Sequence, residues 1–473
     1  MPDSDKSCRS KSDSTGLTVG FISLGCAKNL VDSEYMASTL LAEGLKLAPS
    51  PEDADVVLVN TCAFIDSAKE ESIDAILEAC ALKEDGRCRS VVVAGCLPQR
   101  YGAGLCAELP EVDAFIGLDE LDKIGTVIKQ VISGESGIVR ISPRSTALFE
   151  PPSDRILFSG GPCAYLKIAE GCSHGCAFCA IPAIRGPYRS RPVNGIVREA
   201  ENLLENGVRE LNLISQNSTL YGDDLDDGSD IAVLLRALAS IGGEFWIRLL
   251  YGHPCHVSDE LLSAIGELGQ MCRYLDVPVQ HSHPSVLKAM LREDDRYGGV
   301  AAMPARVRRG VPDIALRTTC LVGYPGETEA HFQHLLGYVI ASEFDHLGVF
   351  TFSQQENTRA ASLPNRPATE TALERRERLM LAQQEIIARK GVKLLGKHDR
   401  ILLERPASDG SGIWCGRSRR QAPDVDGQVA VAGVQEQLAP GGLVNVQYTS
   451  VSGYDMDAEA TGADRAGHLP VSG

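Results

Sequence analysis

Three thiols fall within eight residues in the run EGCSHGCAFCAIPAIRGPYRSRP: Cys172, Cys176 and Cys179, spaced C-x3-C-x2-C. A cubane iron-sulfur cluster normally takes four cysteines. A triplet with no fourth cysteine within reach therefore leaves one iron open to an exogenous ligand, which is the chemically useful position. Because His174 lies inside the same loop, a Cys3His zinc site is the structural alternative. The apolar run AYLKIA just before the loop reads as a buried strand that delivers it.

A second set of thiols is spread over the first third of the chain. From Leu17 the sequence alternates between strand and helix: LTVGFISL, a helix from about Val31 to Glu43, VVLVN, a helix near Asp66 to Leu82, then SVVVAG. That order predicts a parallel sheet covered on both faces. Cys26, Cys62 and Cys96 each lie just past the carboxyl end of one of these strands, where open α/β sheets place their ligands. Cys80, Cys88 and Cys106 share no such position and read as small buried or surface residues. The first triplet is therefore expected to hold a second cluster.

The loop Cys172–Cys179, with Phe178 before its last cysteine and IPAIRGPYRSRP after it, resembles the signature of radical S-adenosylmethionine enzymes, and within them the methylthiotransferase branch. GCAKNLVDSE and NTCAF resemble the amino-terminal domain of that branch, and GRSRRQAPDVDGQV resembles its small terminal barrel, which binds RNA in some members. The resemblance runs from about Leu17 to Asp455. It implies two [4Fe-4S] clusters, one on Cys172, Cys176 and Cys179 and one on Cys26, Cys62 and Cys96. The first, reduced by an external donor such as flavodoxin or ferredoxin, would cleave S-adenosylmethionine to a deoxyadenosyl radical. The second would present sulfur at its open iron, and a second S-adenosylmethionine would give the methyl group. The words ELNLISQN, WIRLLYGHP, YLDVPVQHS, ALRTTCLVGYPGET and APDVDG look most like the branch that converts an aspartate of small-subunit ribosomal protein S-twelve to its β-methylthio form. The runner-up is the sister branch that methylthiolates an adenosine of transfer RNA.

The elements that must position these residues define an α/β chain of three parts. An amino-terminal open parallel sheet, 17–147, is followed by a linker at 148–156, in the Pro-containing stretch SPRSTALFEPPSDR. A partial (β/α)6 barrel, 157–390, is expected from AYLKIA, RELNLIS, FWIRLLY, YLDVPV, IALRTTCLV and HLGVFTF, with helices such as Val197 to Asn206 and Asp230 to Ser240 between them. Barrels of this kind carry their chemistry at the carboxyl ends of the strands. That places Gln216, Asn217, Gln280, His281, Gly323 and Glu327 on the rim, and the resemblance gives this rim to S-adenosylmethionine. The bland reading of the same residues is caps and turns.

After VLKAMLR the chain reads EDDRYGGVAAMPARVRR, a departure from the family that predicts a short or frayed helix. A further helix, Ala368 to Lys390, shows Leu373, Leu379, Leu381, Ile386 and Ile387 loosely on one face. The short alternating runs of 391–455 predict a small antiparallel barrel. Residues 1–16 and 456–473 are polar and read as disordered tails.

Composition bounds the function. The net charge is −17, from 63 acidic against 46 basic residues, which argues against a general nucleic-acid binder and favours a basic partner. The terminal barrel is neutral, with seven Lys and Arg against seven Asp and Glu between Gly391 and Asp455, although Arg417, Arg419 and Arg420 cluster. Fifteen cysteines without a signal-peptide pattern or an apolar run of about 18 residues predict reduced thiols in the cytoplasm and no membrane span. An iron-sulfur sensor or zinc-stabilised module without catalysis is the competing class, but a sensor has no need of the full set of strand-end words.

Overall fold

The computed structural model describes residues 16–462 apart from 153, 294–295 and 436, so residues 1–15 and 463–473 of the expected terminal tails lie outside the described residues. The chain divides into two compact units, Met1–Ile156 and Leu157–Gly473.

The first unit is a six-stranded sheet: β1 (Thr18–Ser23), β2 (Lys46–Leu47), β3 (Val56–Thr61), β4 (Ser90–Gly95), β5 (Ala114–Ile116) and β6 (Ile138–Arg140), in the order β2-β1-β3-β4-β5-β6. Every pairing is parallel. VVLVNT and SVVVAG are buried at every position rather than at alternate ones, because helices cover both faces. Those helices are α1 (Ala27–Ala42), α2 (Asp66–Asp85), α3 (Cys96–Glu108) and α4 (Ile124–Ile132). The strand order reverses between β1 and β3, so a crevice opens outside their carboxyl ends. Among its described residues the expected linker has neither helix nor strand, but the stretch around it is tied down. Arg155 forms a buried ion pair with Glu34 at 2.8 Å, and Ser145 donates to Asp119 at 2.7 Å.

The second unit begins with β7 (Cys163–Lys167), which runs through the two-residue strands β8 (Ala169–Glu170) and β9 (Arg189–Ser190) around the cysteine loop. It continues with β10 (Glu210–Ile214), β11 (Trp246–Leu249), β12 (Tyr274–Asp276), β13 (Ala315–Val322) and β14 (His346–Thr351). β7, β10 and β11 form one parallel run and β12, β13 and β14 another, joined by a single bridge between Ile247 and Met271. All six expected barrel strands are present. An aliphatic core under the surrounding helices holds them, built around residues such as Leu211, Leu213, Ile247, Leu235 and Phe332.

The closed terminal barrel comprises β15 (His398–Pro406), β16 (Trp414–Ser418), β17 (Val429–Ala432), β18 (Leu443–Ser452) and β19 (Asp455–Ala460), in the order β15-β16-β17-β19-β18. It is antiparallel except at one seam, where β17 pairs with β19 in parallel. β19 corrects the expectation of a tail from Met456. The segment is polar by composition, but DMDAEA alternates, with Met456, Ala458 and Ala460 facing inward.

The three clustered arginines point into the larger barrel. Arg417 pairs with Glu210 at 2.6 Å, where Arg248 meets the same carboxylate at 2.6 Å; all three side chains are buried. Arg419 donates to the carbonyl of Gly269 and Arg420 to Asp345. In APDVDG, Asp424 accepts from Tyr165, and Asp426 accepts from Tyr274 and Arg317. The word GRSRRQAPDVDGQV thus plugs the amino-terminal end of the (β/α)6 barrel.

Two helical expectations are corrected. The paired glycines Gly298 and Gly299 do not fray a helix; both have positive φ at its start, and the helix Gly299–Gly310 follows over twelve residues. In the helix Thr369–Val392, Leu379, Ile386 and Ile387 are buried, whereas Leu373 and Leu381 are about half exposed, off the packed face.

Candidate functional site

Cys26, Cys62 and Cys96 follow the ends of three adjacent strands, β1, β3 and β4, and flank the crevice where the strand order reverses. Asn29 ties them together. Its amide nitrogen donates to the carbonyls of Thr61 at 2.7 Å and Leu24 at 3.1 Å, and its amide oxygen lies 3.6 Å from Cys96 Sγ. Gly25, at φ +88°, lies against Cys62 so closely that a Cβ there would stand 2.6 Å from Cys62 Cβ. Cys26 is the N-cap of α1 and Cys96 the first residue of α3. The floor beneath is polar: Asn29, Asn60, Ser33 and Thr61 are buried and hydrogen-bonded. Three soft donors over such a floor fit an iron-sulfur cluster.

Cys172, Cys176 and Cys179 lie on one loop after β8. Gly171 opens it at φ +72°, where a Cβ would be 2.1 Å from the carbonyl oxygen of Pro187. Backbone bonds pin it further along: Cys172 N–H to Gly186 O, Ala177 N–H to Met290 O, and Ala360 N–H to Ala177 O. Burial pushes the Cys172 and Cys179 thiols up, Cys179 to about 12, and the neighbouring Cys176 and Cys172 add to this through charge. The pocket alone therefore disfavours thiolates, and a metal cation bound there would reverse the balance. Arg292 supplies a cation at 3.3 Å from Cys176 Sγ while its other nitrogen donates to Pro278 O. Phe178 packs beside Tyr324 and Phe352 in a small apolar cluster beneath the loop.

Beside the loop stands a network that the sequence reading missed. Glu170 accepts from Lys167, Arg185 and Gln216 at 2.9, 2.9 and 3.0 Å. Burial alone would raise its carboxyl, but Arg185 and Lys167 hold it well below the ordinary carboxylate range. The network is local only in part, since Gln216 comes from the end of β10.

The expected rim residues divide into two groups. Gln216 and Asn217 each keep one buried side-chain atom, Gln216 Oε1 and Asn217 Nδ2, without a partner among the described residues, and Asn212 on β10 leaves both amide atoms so. Asn212 shares a strand face with Glu210, so it lies inside the barrel, one layer above the plug. Buried polar atoms left unpaired call for a ligand, and a polar nucleoside and amino-acid moiety such as that of S-adenosylmethionine fits them. Gln280 sits in the left-handed region at φ 66°, bridged to Cys320, a strained backbone of the kind found at binding sites. The other group is turned inward. His281 Nε2 faces Glu327 at 3.6 Å, Glu327 pairs with Arg375 at 3.3 Å, and the N–H of Gly323 donates to Glu327. Gly323, at φ +74°, also abuts Ala372 too closely for a side chain. His281, Gly323 and Glu327 thus brace the GYPGET turn, and His281 Nε2 and Glu327 Oε1 are also buried without a hydrogen-bond partner among the described residues. His174, the zinc ligand of the alternative reading, has its ring stacked on His253 at 4.2 Å between centroids and its Nε2 2.9 Å from that of His256.

Three family profiles match the chain: "Uncharacterized protein family UPF0004" over residues 18–117, "Radical SAM superfamily" over 166–339 and "TRAM domain" over 395–461. The chain is 43% identical over 447 residues to "Ribosomal protein uS12 methylthiotransferase RimO" of Syntrophus aciditrophicus, covering 93% of this chain and 98% of the relative. It is 45% identical to the protein of the same name from Symbiobacterium thermophilum, covering 94% and 91%. Among solved structures it is similar in fold to the radical S-adenosylmethionine methyltransferase TsrM of Kitasatospora setae, with a TM-score of 0.55, 14% identity and 74% of each chain covered. Among the described residues no helix is long and apolar enough to cross a membrane.

Proposed function

We propose, on the premise that this chain belongs to the family of ribosomal protein uS12 methylthiotransferases, that it β-methylthiolates an aspartate of that small-subunit protein. It is a radical S-adenosylmethionine enzyme, and that class carries an iron-sulfur cluster. The observation that supports the reading most is the pinned loop of Cys172, Cys176 and Cys179 beside the unpaired amide atoms of Asn212, Gln216 and Asn217. That arrangement supports adjoining sites for a cluster and a polar cosubstrate.

In this reading Cys172, Cys176 and Cys179 hold one [4Fe-4S] cluster, and Cys26, Cys62 and Cys96 hold a second. When bound, and with an external donor such as flavodoxin or ferredoxin, the first supplies the electron that cleaves S-adenosylmethionine and the second the iron that carries sulfur. The chain's own residues orient and exclude. Gly171 and the three backbone bonds fix the thiols, and Arg292 offsets negative charge at Cys176. Asn212, Gln216 and Asn217 orient the polar parts of S-adenosylmethionine, and Phe178 and its apolar neighbours keep water from the loop.

The transfer RNA alternative is not favoured. The relatives are named for a ribosomal protein, and Arg417, Arg419 and Arg420, the terminal barrel's basic cluster, are engaged within the unit. Mass spectrometry of uS12 from a strain lacking this chain tests the proposal. The aspartate should lose its methylthio group and regain it on complementation. Full modification without the chain would overturn the substrate assignment.

A further inference from the structure

Beside the cysteine loop, three imidazoles and a thiol converge: His174 from the loop itself, and His253, Cys255 and His256 from the turn after β11. One donor atom from each lies within 4.8 Å of all the others. Four ligands around zinc, at bond lengths of about 2.0–2.3 Å, stand roughly 3.3–3.8 Å apart, so the cluster needs only small adjustments. One contact is already tighter than that, 2.9 Å between His174 Nε2 and His256 Nε2, while His253 Nδ1 is engaged by Cys255 Sγ at 2.8 Å, which leaves His253 Nε2 for an ion.

The second observation is the state of His253. It is 8% exposed, and its Nε2 is buried with no hydrogen-bond partner among the described residues. A buried imidazole nitrogen left in that condition is costly unless something binds it. The members of this group are nitrogen and sulfur donors alone, with no carboxylate among them, and three nitrogens with one thiolate suit a borderline divalent ion. His174 and His256 are half-buried, whereas His253 and Cys255 are buried, so an ion enters past the first pair.

We propose that His174, His253, Cys255 and His256 form a zinc site, separate from both cysteine triplets, that clamps the loop of Cys172–Cys179 to the turn after β11. The site does not depend on the substrate proposed above. Its geometry also sets it apart from a Cys3His site, because His174 joins the imidazoles here.

The test uses the full chain, purified anaerobically with its iron in place, given zinc alone and then dialysed. One zinc per chain is expected beside unchanged iron, and X-ray absorption at the zinc edge should show one sulfur and three nitrogens. Cys255→Ser and His256→Ala should each weaken zinc binding by at least about 100-fold, since loss of an outer-shell partner alone costs 10- to 100-fold, and iron should stay constant. Circular dichroism checks that the variants fold, and the wild-type absorption spectrum stands as a readout independent of them. A sulfur-rich shell would place the zinc in a cysteine triplet and overturn the proposal. So would zinc well below one per chain, or affinity unchanged in both variants. Loss of iron with zinc retained would count against the cluster assignment instead, so the two failures are distinguishable.

Discussion

The two cysteine triplets are assembled by opposite means. In the first unit each thiol comes from a different strand end, so the sheet's order places them, and neutral Asn and Thr groups lie beneath. In the second unit all three come from one loop, and the barrel below is charged: Lys167, Glu170 and Arg185 near the top, Glu210, Arg248 and Arg417 at the bottom. The first site depends on tertiary structure for its existence, the second mainly for its support. Perturbations should therefore separate them.

Removing one member of the buried ion network has the largest expected effect. Glu210→Ala leaves the buried Arg248 without its carboxylate and Arg417 with Glu404 alone, which costs about 3–5 kcal/mol. Both tryptophans, Trp246 and Trp414, belong to the second unit, so urea titration followed by their fluorescence reads that unit alone. A loss below about 1 kcal/mol would mean that water reaches the network.

Gly25→Ala and Gly171→Ala test the two supports in parallel. Each puts a Cβ into contact closer than 3 Å, against Cys62 in one unit and Pro187 in the other. With two clusters of equal size, each variant should lose about half the iron. Gly171→Ala should also abolish S-adenosylmethionine cleavage, whereas Gly25→Ala should spare it. Iron and deoxyadenosine assays decide, and loss of all iron in either variant would imply a shared site.

Acid should distinguish the units more mildly. Burial opposes the ionised Glu210, yet Arg248 and Arg417 hold its carboxyl down to about 2 from 4.5, and Glu170 is lowered in the same way. Groups depressed on folding stabilise fully above their unfolded pKa and lose that stability as pH falls towards the folded value. Tryptophan-detected melting should thus fall steadily from about pH 5 towards pH 2. A flat profile over that window would contradict the charged interior.

The smallest effect is on association. A net charge of −17 and a basic ribosomal partner imply attraction that weakens as salt shortens the Debye length to about 3 Å near 1 M. Binding of purified uS12 measured against ionic strength checks this, and tighter binding at high salt would count against it.

Much of the architecture was legible because it is written locally. Aliphatic runs announced the strands, and C-x3-C-x2-C marked one candidate site by spacing alone. Cys26, Cys62 and Cys96 were legible only through their common place after predicted strands. What escaped was either a matter of pattern over composition or of distance along the chain. β19 reads as a polar tail until Met456, Ala458 and Ala460 are seen to alternate, and Gly298 and Gly299 look like breakers until they are placed at a helix start. Glu210 and Arg417 lie 207 residues apart, so no local signal could show that the arginine cluster fills a barrel end. Arg292 beside Cys176 escaped for the same reason, and so did the contact of Glu327 with Arg375, 48 residues further on.

The most direct test of the central claim, two triplets with two chemistries, is anaerobic turnover of the variant Cys26→Ala, Cys62→Ala, Cys96→Ala beside Cys176→Ala. Deoxyadenosine is measured by chromatography and the uS12 peptide by mass. The triple variant should still release deoxyadenosine while leaving the aspartate without a methylthio group, and Cys176→Ala should release none. A methylthiolated peptide from the triple variant would contradict the account, because Cys26, Cys62 and Cys96 would then not be the sulfur-donating site.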